Sequence, residues 1–284
     1  MSSTIAVLTM AKGRHDHLLG QVDGLSVGSM PPVVHGVISM GDRDLTRGRL
    51  PLGTDRWRTV VRPVQSDRRA LPFAQARNTG AEIAAENGAD LLFFLGGDII
   101  PGKRALERFS DAIAAGPPEG ATGPIVWQGP LLDLPPVENP ALGYPFGRLA
   151  EIATPVASDP LLEPGQLAVE TDWGHFRGYS FAMTVADFAE VGGFCADYAG
   201  HGLEDADFAE KLKRAGGSLV WVGGAASYRQ PVPAPEIADE LRIALRHATT
   251  WRARWAEDPD HPLFDRLLGA GVLQRAETGG FVAV

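Results

Sequence analysis

The chain has 284 residues, of which 44% are hydrophobic and 21% charged, and a formal net charge of −9 at pH 7. That length and apolar content suit one large α/β domain or two small ones around a buried core. The acidic balance, with no long basic run, excludes nonspecific binding to nucleic acid or anionic membranes, although a local arginine cluster can still hold a phosphate.

Ile5 to Thr9 reads as a buried strand, followed by the loop Met10 to Arg14 and a helix from about His15 to Leu25. No basic segment with an apolar run precedes that strand, and no stretch approaches the length of a bilayer span, so a cytoplasmic protein without a membrane span is expected. Val33 to Ser39 gives a second strand, ending in Met40-Gly41-Asp42, and Trp57 to Val64 a third. Pro72 lies near a helix start, and the Ala-rich run Ala74 to Asn87 ends at Gly88, which suits a C-cap. Leu91 to Leu95 is short and wholly apolar, as in strands buried on both faces of a parallel sheet. Strand and helix in this rhythm predict a doubly wound α/β sheet. Ligands of such sheets bind beyond the carboxyl ends of the strands, which directs attention to Gly13-Arg14, Gly41-Asp42 and Gly96-Gly97-Asp98.

Trp127 to Gln166 carries Pro130, Pro135, Pro136, Pro140, Pro145, Pro155, Pro160 and Pro164. No helix is expected through it, and it reads either as a lid or as an irregular connection. Trp173 follows, placed either to stack on a ring or to fill core. Cys195 is the only cysteine, which excludes an intrachain disulfide, and it reads as a packing residue. Ile237, Leu241, Ala244, Ala248, Trp251 and Trp255 form one apolar stripe on a helix, either a homodimer seam or a docking face. A short helix follows within Pro262 to Gln274.

Glu204, Asp205 and Asp207 follow the loop Gly192-Gly193-Phe194, Tyr198, Gly200, His201, Gly202 and open an amphipathic helix. Carboxylates at a helix N-terminus are stabilised in the ionised form, which suits a general base, and the alternative is ordinary capping. The ordered string Phe176, Gly178, Ser180, then Val191 to Phe194, then Gly202-Leu203-Glu204-Asp205-Ala206-Asp207 resembles a known motif. It is similar to the acceptor-side motif of inverting nucleotide-sugar glycosyltransferases with the GT-A fold, both bacterial family-2-type enzymes and, more distantly, β-1,4-galactosyltransferases.

The resemblance implies a GT-A α/β fold, Rossmann-like, with a mostly parallel central sheet and helices on both faces. It implies a nucleotide-sugar half at 1–125, a lid loop and acceptor half at 126–235, and a C-terminal helical segment at 236–284. Donor roles fall on Arg14, Asp42, Asp98, Arg229 and Arg77, the last in a segment similar to the family's Ala-Arg-Asn-x-Gly-Ala helix. Asp205 would be the base, with Glu204, Trp173, His201 and Asp207 on the acceptor side, Asp207 chiefly to fix the loop and helix start. The implied reaction moves a sugar from a nucleoside diphosphate, a UDP-hexose by expectation, to a saccharide, lipid or natural-product acceptor.

Phe93 to Pro101 stands where the family has Phe-Leu-Asp-x-Asp-x-x-Pro, whose last aspartate holds Mn2+ or Mg2+ against the diphosphate. Here Asp98 is kept, but Gly96 replaces the first aspartate. Where related bacterial sequences place histidines, this chain has Tyr228-Arg229-Gln230. Arginine cannot ligate a cation but pairs directly with phosphate, so metal dependence is expected to be weak or absent. The two departures also leave a noncatalytic nucleotide-sugar or glycan-binding protein as an alternative. A nucleotidyltransferase is a poorer match, since Ala11-Lys12-Gly13-Arg14 is a thin phosphate loop.

Overall fold

The computed structural model describes residues 3–66, 70–137, 139 and 143–284, so Pro140 of the proline-rich segment lies outside the described residues. The first half alternates β1 (Ile5–Ala11), α1 (His15–Ser26), β2 (Val34–Met40), the short α2 (Arg43–Thr46), β3 (Arg58–Val64), α3 (Phe73–Glu86) and β4 (Leu91–Gly96). Every residue of β1 and β2 is buried, as their apolar runs require for strands covered on both faces. Then come β5 (Ile99–Pro101), α4 (Ala105–Ala115), β6 (Ile125–Gln128), β7 (Leu131–Asp133), α5 (Leu149–Ile152), β8 (Thr154–Pro155) and β9 (Leu167–Glu170). The remainder is β10 (Ser180–Thr184), α6 (Val185–Val191), α7 (Glu204–Arg214), β11 (Ser218–Val222), β12 (Ser227–Arg229), α8 (Ile237–Trp255), α9 (Pro262–Gly269) and the hairpin β13 (Leu273–Arg275) and β14 (Phe281–Ala283).

An eight-stranded sheet runs β3-β2-β1-β4-β10-β6-β11-β9. Its first four strands are mutually parallel, β6 and β11 share their direction, and only β10 and β9 run against it. Side chains alternate across the sheet: Ala6, Leu8 and Met10 of β1 pack with residues of α3 and α7, while Ile5, Val7 and Ala11 pack with α1 and α4. Gly80 lets α3 bed closely on this surface, since a Cβ there would lie 3.3 Å from Leu8 and Ile38. Strands from residues 1–125 and 126–235 thus lie within one sheet.

The proline-rich segment is more ordered than its composition suggests. It contributes β7 and β8 to a second sheet of order β5-β12-β7-β8, and α5 is a helix where none was expected. Asp159 fastens it, accepting from Leu131 N at 2.8 Å and from both terminal nitrogens of Arg177 at 2.9 and 2.5 Å. Most of the stripe on α8 docks on the chain's own core, while Ile237 at its start is exposed. Ala244, Ala248 and Trp251 bury against Tyr198, Leu203 and α9, with Leu241 and Trp255 packed on the same cluster. Among the described residues no helix is long and apolar enough to cross a membrane.

Candidate active site

The antiparallel strand β10 brings the acceptor-side motif to the same sheet edge as the ends of β1, β2 and β4. Ser180 pairs with Leu95, and Gly96 N donates to Tyr179 O at 2.8 Å. The turn after β4 is held from both sides. Gln21 on α1 donates to Gly96 O and Ile99 O, each at 2.7 Å, while its own oxygen accepts from Thr9 Oγ1 at 2.6 Å. Gln230 donates from its backbone to Asp98 O and from its side chain to His17 O, both at 2.9 Å. A buried network so fully satisfied fixes the turn before any ligand arrives.

Beneath the motif lies an aromatic bed in which Phe194 and Phe208 stack with ring centroids 4.0 Å apart and Phe181 packs on Phe94 and Phe176. Asn78 on α3 clamps the Gly-Gly-Phe turn, exchanging hydrogen bonds of 2.8 and 2.9 Å with the backbone of Phe194. This fixes the loop that delivers Glu204 and Asp205 to the start of α7.

The two carboxylates share Arg77, which is 2% exposed. Its Nη1 lies 3.0 Å from Asp205 Oδ1 and 3.8 Å from Glu204 Oε1, its Nε donates to Gly178 O at 2.9 Å, and its guanidinium covers the Phe194 ring at 4.7 Å. Gly178 N donates to Asp205 Oδ2 at 3.1 Å, and a Cβ on Gly178 would lie 2.1 Å from Asp205 Oδ1, so only glycine fits there. Glu204 is 1% exposed, accepts from Gly202 N at 2.7 Å, and stands 3.3 Å from the ring of His201, which faces solvent. Ordinary capping does not describe this arrangement, because the N-cap position is Leu203 and makes no side-chain cap.

The environments push the two acids apart. Burial raises the Asp205 carboxyl above the ordinary carboxylate range, Arg77 opposes this, and the charge of Glu204 adds to it. Glu204 also suffers from burial, but its hydrogen bond from His201 and the charges of His201 and Arg77 outweigh that and hold it at about 2. One carboxylate stays firmly ionised while its neighbour gains proton affinity, the pattern expected of a base beside an orienting anion. The helix N-terminus is thus not the dominant influence on Asp205: burial, with the charge of Glu204, raises its proton affinity.

Two expected roles are relocated. Arg77, expected against base or diphosphate, is buried under the acceptor-side carboxylates instead. Asp207, expected on the acceptor, is fully buried and ties α7 to α8: its Oδ1 accepts from Arg254 Nε at 2.7 Å, Trp255 Nε1 at 2.9 Å and the Tyr198 hydroxyl at 3.2 Å. His201 and Glu204 do meet, and Trp173 packs partly buried on the aromatic bed.

On the donor side, Arg14 is exposed at the head of α1 in the left-handed region (φ 48°, ψ 47°), a conformation that side-chain-bearing residues hold only under constraint. Asp42 caps α2 and is tied to the β1 loop, accepting from Gly13 N at 2.7 Å and lying 2.8 Å from His15 Nε2. Burial works against its ionisation, but the bonds from His15 and three backbone N–H groups bring it to about 2. Arg229 is paired side-on with Asp133 at 2.7 and 3.0 Å, a partner not expected from the sequence. The pair edges a groove of about 270 Å³ lined also by Leu134, Gln230, Pro231 and Val232.

Around the Asp98 turn stand two carboxylates, Asp98 and Asp133, the second engaged by Arg229 at 2.7 and 3.0 Å, and a hard cation takes several oxygen ligands. A Cβ on Gly96 would lie 2.9 Å from Asp98 Oδ1 and 3.3 Å from Ile99 and Tyr179, so the space of the first aspartate is partly taken. A different trio, His15, Asp42 and Asp44, has ligand atoms within 4.8 Å of one another, though Asp44 also pairs with Arg49 at 2.7 Å. Tyr179 and Arg177 also belong to the site and went unread in the sequence. Burial raises the Tyr179 hydroxyl, and the charges of Arg177, Arg229, Asp205 and Asp159 all reach it.

This architecture is the GT-A fold of nucleotide-sugar glycosyltransferases. S. aureus TarS in complex with UDP-GlcNAc superposes with TM-score 0.59 at 11% identity over 86% of this chain and 66% of that one. GalNAc-T7 with UDP, GalNAc and Mn2+ gives 0.55 at 14% over 89% and 50%, so the chain spans half of that protein. The Pyrobaculum calidifontis mannosyltransferase PcManGT with GDP-Man and Mn2+ gives 0.55 at 14% over 95% and 69%. Residues 165–232 match the family described as the N-terminal domain of galactosyltransferase, the stretch that carries Arg177, Glu204, Asp205 and Arg229. No curated protein is significantly similar to the chain in sequence.

Proposed function

We propose that the protein is a glycosyltransferase that moves a hexose from a UDP-type donor to an acceptor hydroxyl with inversion, using Asp205 as general base. The carrying observation is the pair of adjacent carboxylates with opposed proton affinities over one buried arginine, at the sheet edge where ligands of such folds bind. The acceptor oxygen attacks the anomeric carbon while its proton passes to Asp205. The bond from that carbon to the diphosphate breaks on the opposite face, and its electron pair leaves with the diphosphate. Glu204 and His201 orient the acceptor, a saccharide, lipid or natural-product intermediate.

Arg229 and Arg14 supply positive charge to the departing diphosphate, and Asp98 accepts hydrogen bonds from donor hydroxyls. Metal dependence is weak in this reading, because Gly96 stands where an aspartate ligand is expected and Arg229 engages Asp133 beside Asp98. The neighbours bound to UDP-GlcNAc and GDP-Man support a nucleotide-sugar donor. The Arg229–Asp133 pair and Gly96 favour one rival, a nucleotide-sugar-binding protein without turnover. A panel of nucleotide sugars assayed for release of the nucleoside diphosphate, with varied acceptors, with and without Mn2+, decides between them. Transfer with any acceptor removes the rival; donor binding without transfer across the panel favours it.

A further inference from the structure

We infer that Arg77 is a positioning residue for the base, setting the placement and ionisation of Asp205 from beneath, and that it makes no contact with the donor. The inference rests on the reading of Asp205 as base, and its geometric part stands alone. Arg77 comes from α3, 101 residues before the Gly178 carbonyl that takes its Nε proton. Its remaining charge is directed at Asp205 Oδ1 and Glu204 Oε1, and Phe194 closes its face. At 2% exposure there is no open side from which a diphosphate could reach it.

Adjacent carboxylates repel each other, and here Glu204 is buried while Asp205 is mostly so, its Oδ1 shut off from solvent. One guanidinium between them lowers the cost of ionising both, and the Gly178 carbonyl fixes where that charge sits. Gly178 thereby serves both partners, holding Arg77 through its oxygen and Asp205 through its N–H. The other ionisable groups facing this pair are His201 from the preceding loop, His247 from α8, His261 at the head of α9, and Tyr179 beside β10.

The test compares native protein with Arg77→Gln and with the triple variant Arg77→Gln, Glu204→Gln, Asp205→Asn, reading UDP affinity by calorimetry and melting temperature across pH. Without the cation, the proton affinity of Asp205 in the folded protein rises further above its unfolded value, and that of Glu204 loses part of its depression. The stability of Arg77→Gln is then closest to native below about pH 4 and falls further behind as pH rises. The triple variant, with no buried carboxylate left uncompensated, recovers stability above Arg77→Gln at pH 8 even if the single variant does not fold there. UDP affinity of the folded variants stays within about twofold of native.

With a donor and acceptor that turn over, Arg77→Lys moves the acidic limb of the kcat profile to higher pH at nearly constant donor KM, which a purely structural arginine would not do. A loss of UDP affinity of about tenfold or more, with melting curves that run parallel across pH, overturns the inference and returns Arg77 to the donor site. A triple variant less stable than the single one also overturns it. Failure of UDP to bind the native protein would sink the nucleotide-sugar reading instead, leaving the melting comparison to decide the role of Arg77.

Discussion

At the end of the site that carries the paired carboxylates, Arg77 from α3 lies 3.0 Å from Asp205 and 3.8 Å from Glu204 of α7, with Arg77 and Glu204 buried, Asp205 partly exposed and His201 facing solvent. At the donor end, Arg14 is exposed, Asp42 is occupied with Gly13 and His15, and Arg229 is paired with Asp133 at the edge of an open groove. The difference follows from solvation. Buried charges must be matched by one another, which fixes their geometry in the free protein, while charges at an open edge are served by water and can exchange partners when a ligand arrives. In the proposed reading the first end does chemistry at a fixed point and the second binds the donor.

The largest expected effect sharpens that contrast. Asp205→Asn keeps the size of the side chain but cannot take a proton, so turnover falls about 100-fold or more while donor affinity barely changes. Glu204→Gln acts differently, chiefly raising the acceptor KM. Steady-state kinetics at saturating acceptor separates the two, and near-native turnover by Asp205→Asn would mean that another group is the base.

How much of this was legible in the sequence varies between the ends for the same physical reason. The strands β1, β2 and β4 were readable because burial on both faces demands apolar runs, and the Gly178-to-Asp207 motif because its members touch each other within one stretch of chain. The part of Arg77 was not readable, since nothing local distinguishes a buried guanidinium from a surface one. Its partners lie more than a hundred residues away. Asp133 was hidden in the proline-rich segment, and becomes a partner of Arg229 only through the parallel pairing of β7 with β12. The anchoring part of Asp207 was readable only in outline, because a carboxylate in the first turn of a helix looks the same in sequence whether it faces ligand or core.

Asp207 offers the next effect. Asp207→Ala leaves the buried side of Arg254, the Tyr198 hydroxyl and the Trp255 N–H without their acceptor, at a cost of about 3 kcal/mol. Denaturant unfolding measures it. A change in acceptor KM with no loss of stability would place Asp207 on the acceptor after all.

Gly96→Asp probes the donor end. The added Cβ forces the Asp98 carboxylate to swing aside, and the new carboxylate supplies a second oxygen ligand. Mn2+ should then strengthen nucleotide binding by about tenfold more than it does in the native protein. An equal response in both proteins, seen by calorimetry, would show that this turn does not determine metal use.

The smallest effect lies in the core beneath the turn. Burial lowers His35 to about 4, so it is neutral in the folded protein, where its Nε2 lies 3.0 Å from Thr9 Oγ1. With the folded value below the unfolded one, its contribution to stability is present above about pH 6.5 and is lost as pH falls towards 4. His35→Gln should flatten that part of the melting-temperature profile, and an unchanged slope would assign it to other groups.

The claim that the open end of this cleft binds a nucleotide through its own side chains is tested most directly by titrating UDP into the native protein in EDTA and again in Mn2+. Measurable affinity in EDTA, with only a modest gain on adding metal, is the expected result. No binding under either condition would contradict the donor site, and binding that vanishes in EDTA and returns with Mn2+ would show an ordinary metal site built around Asp98.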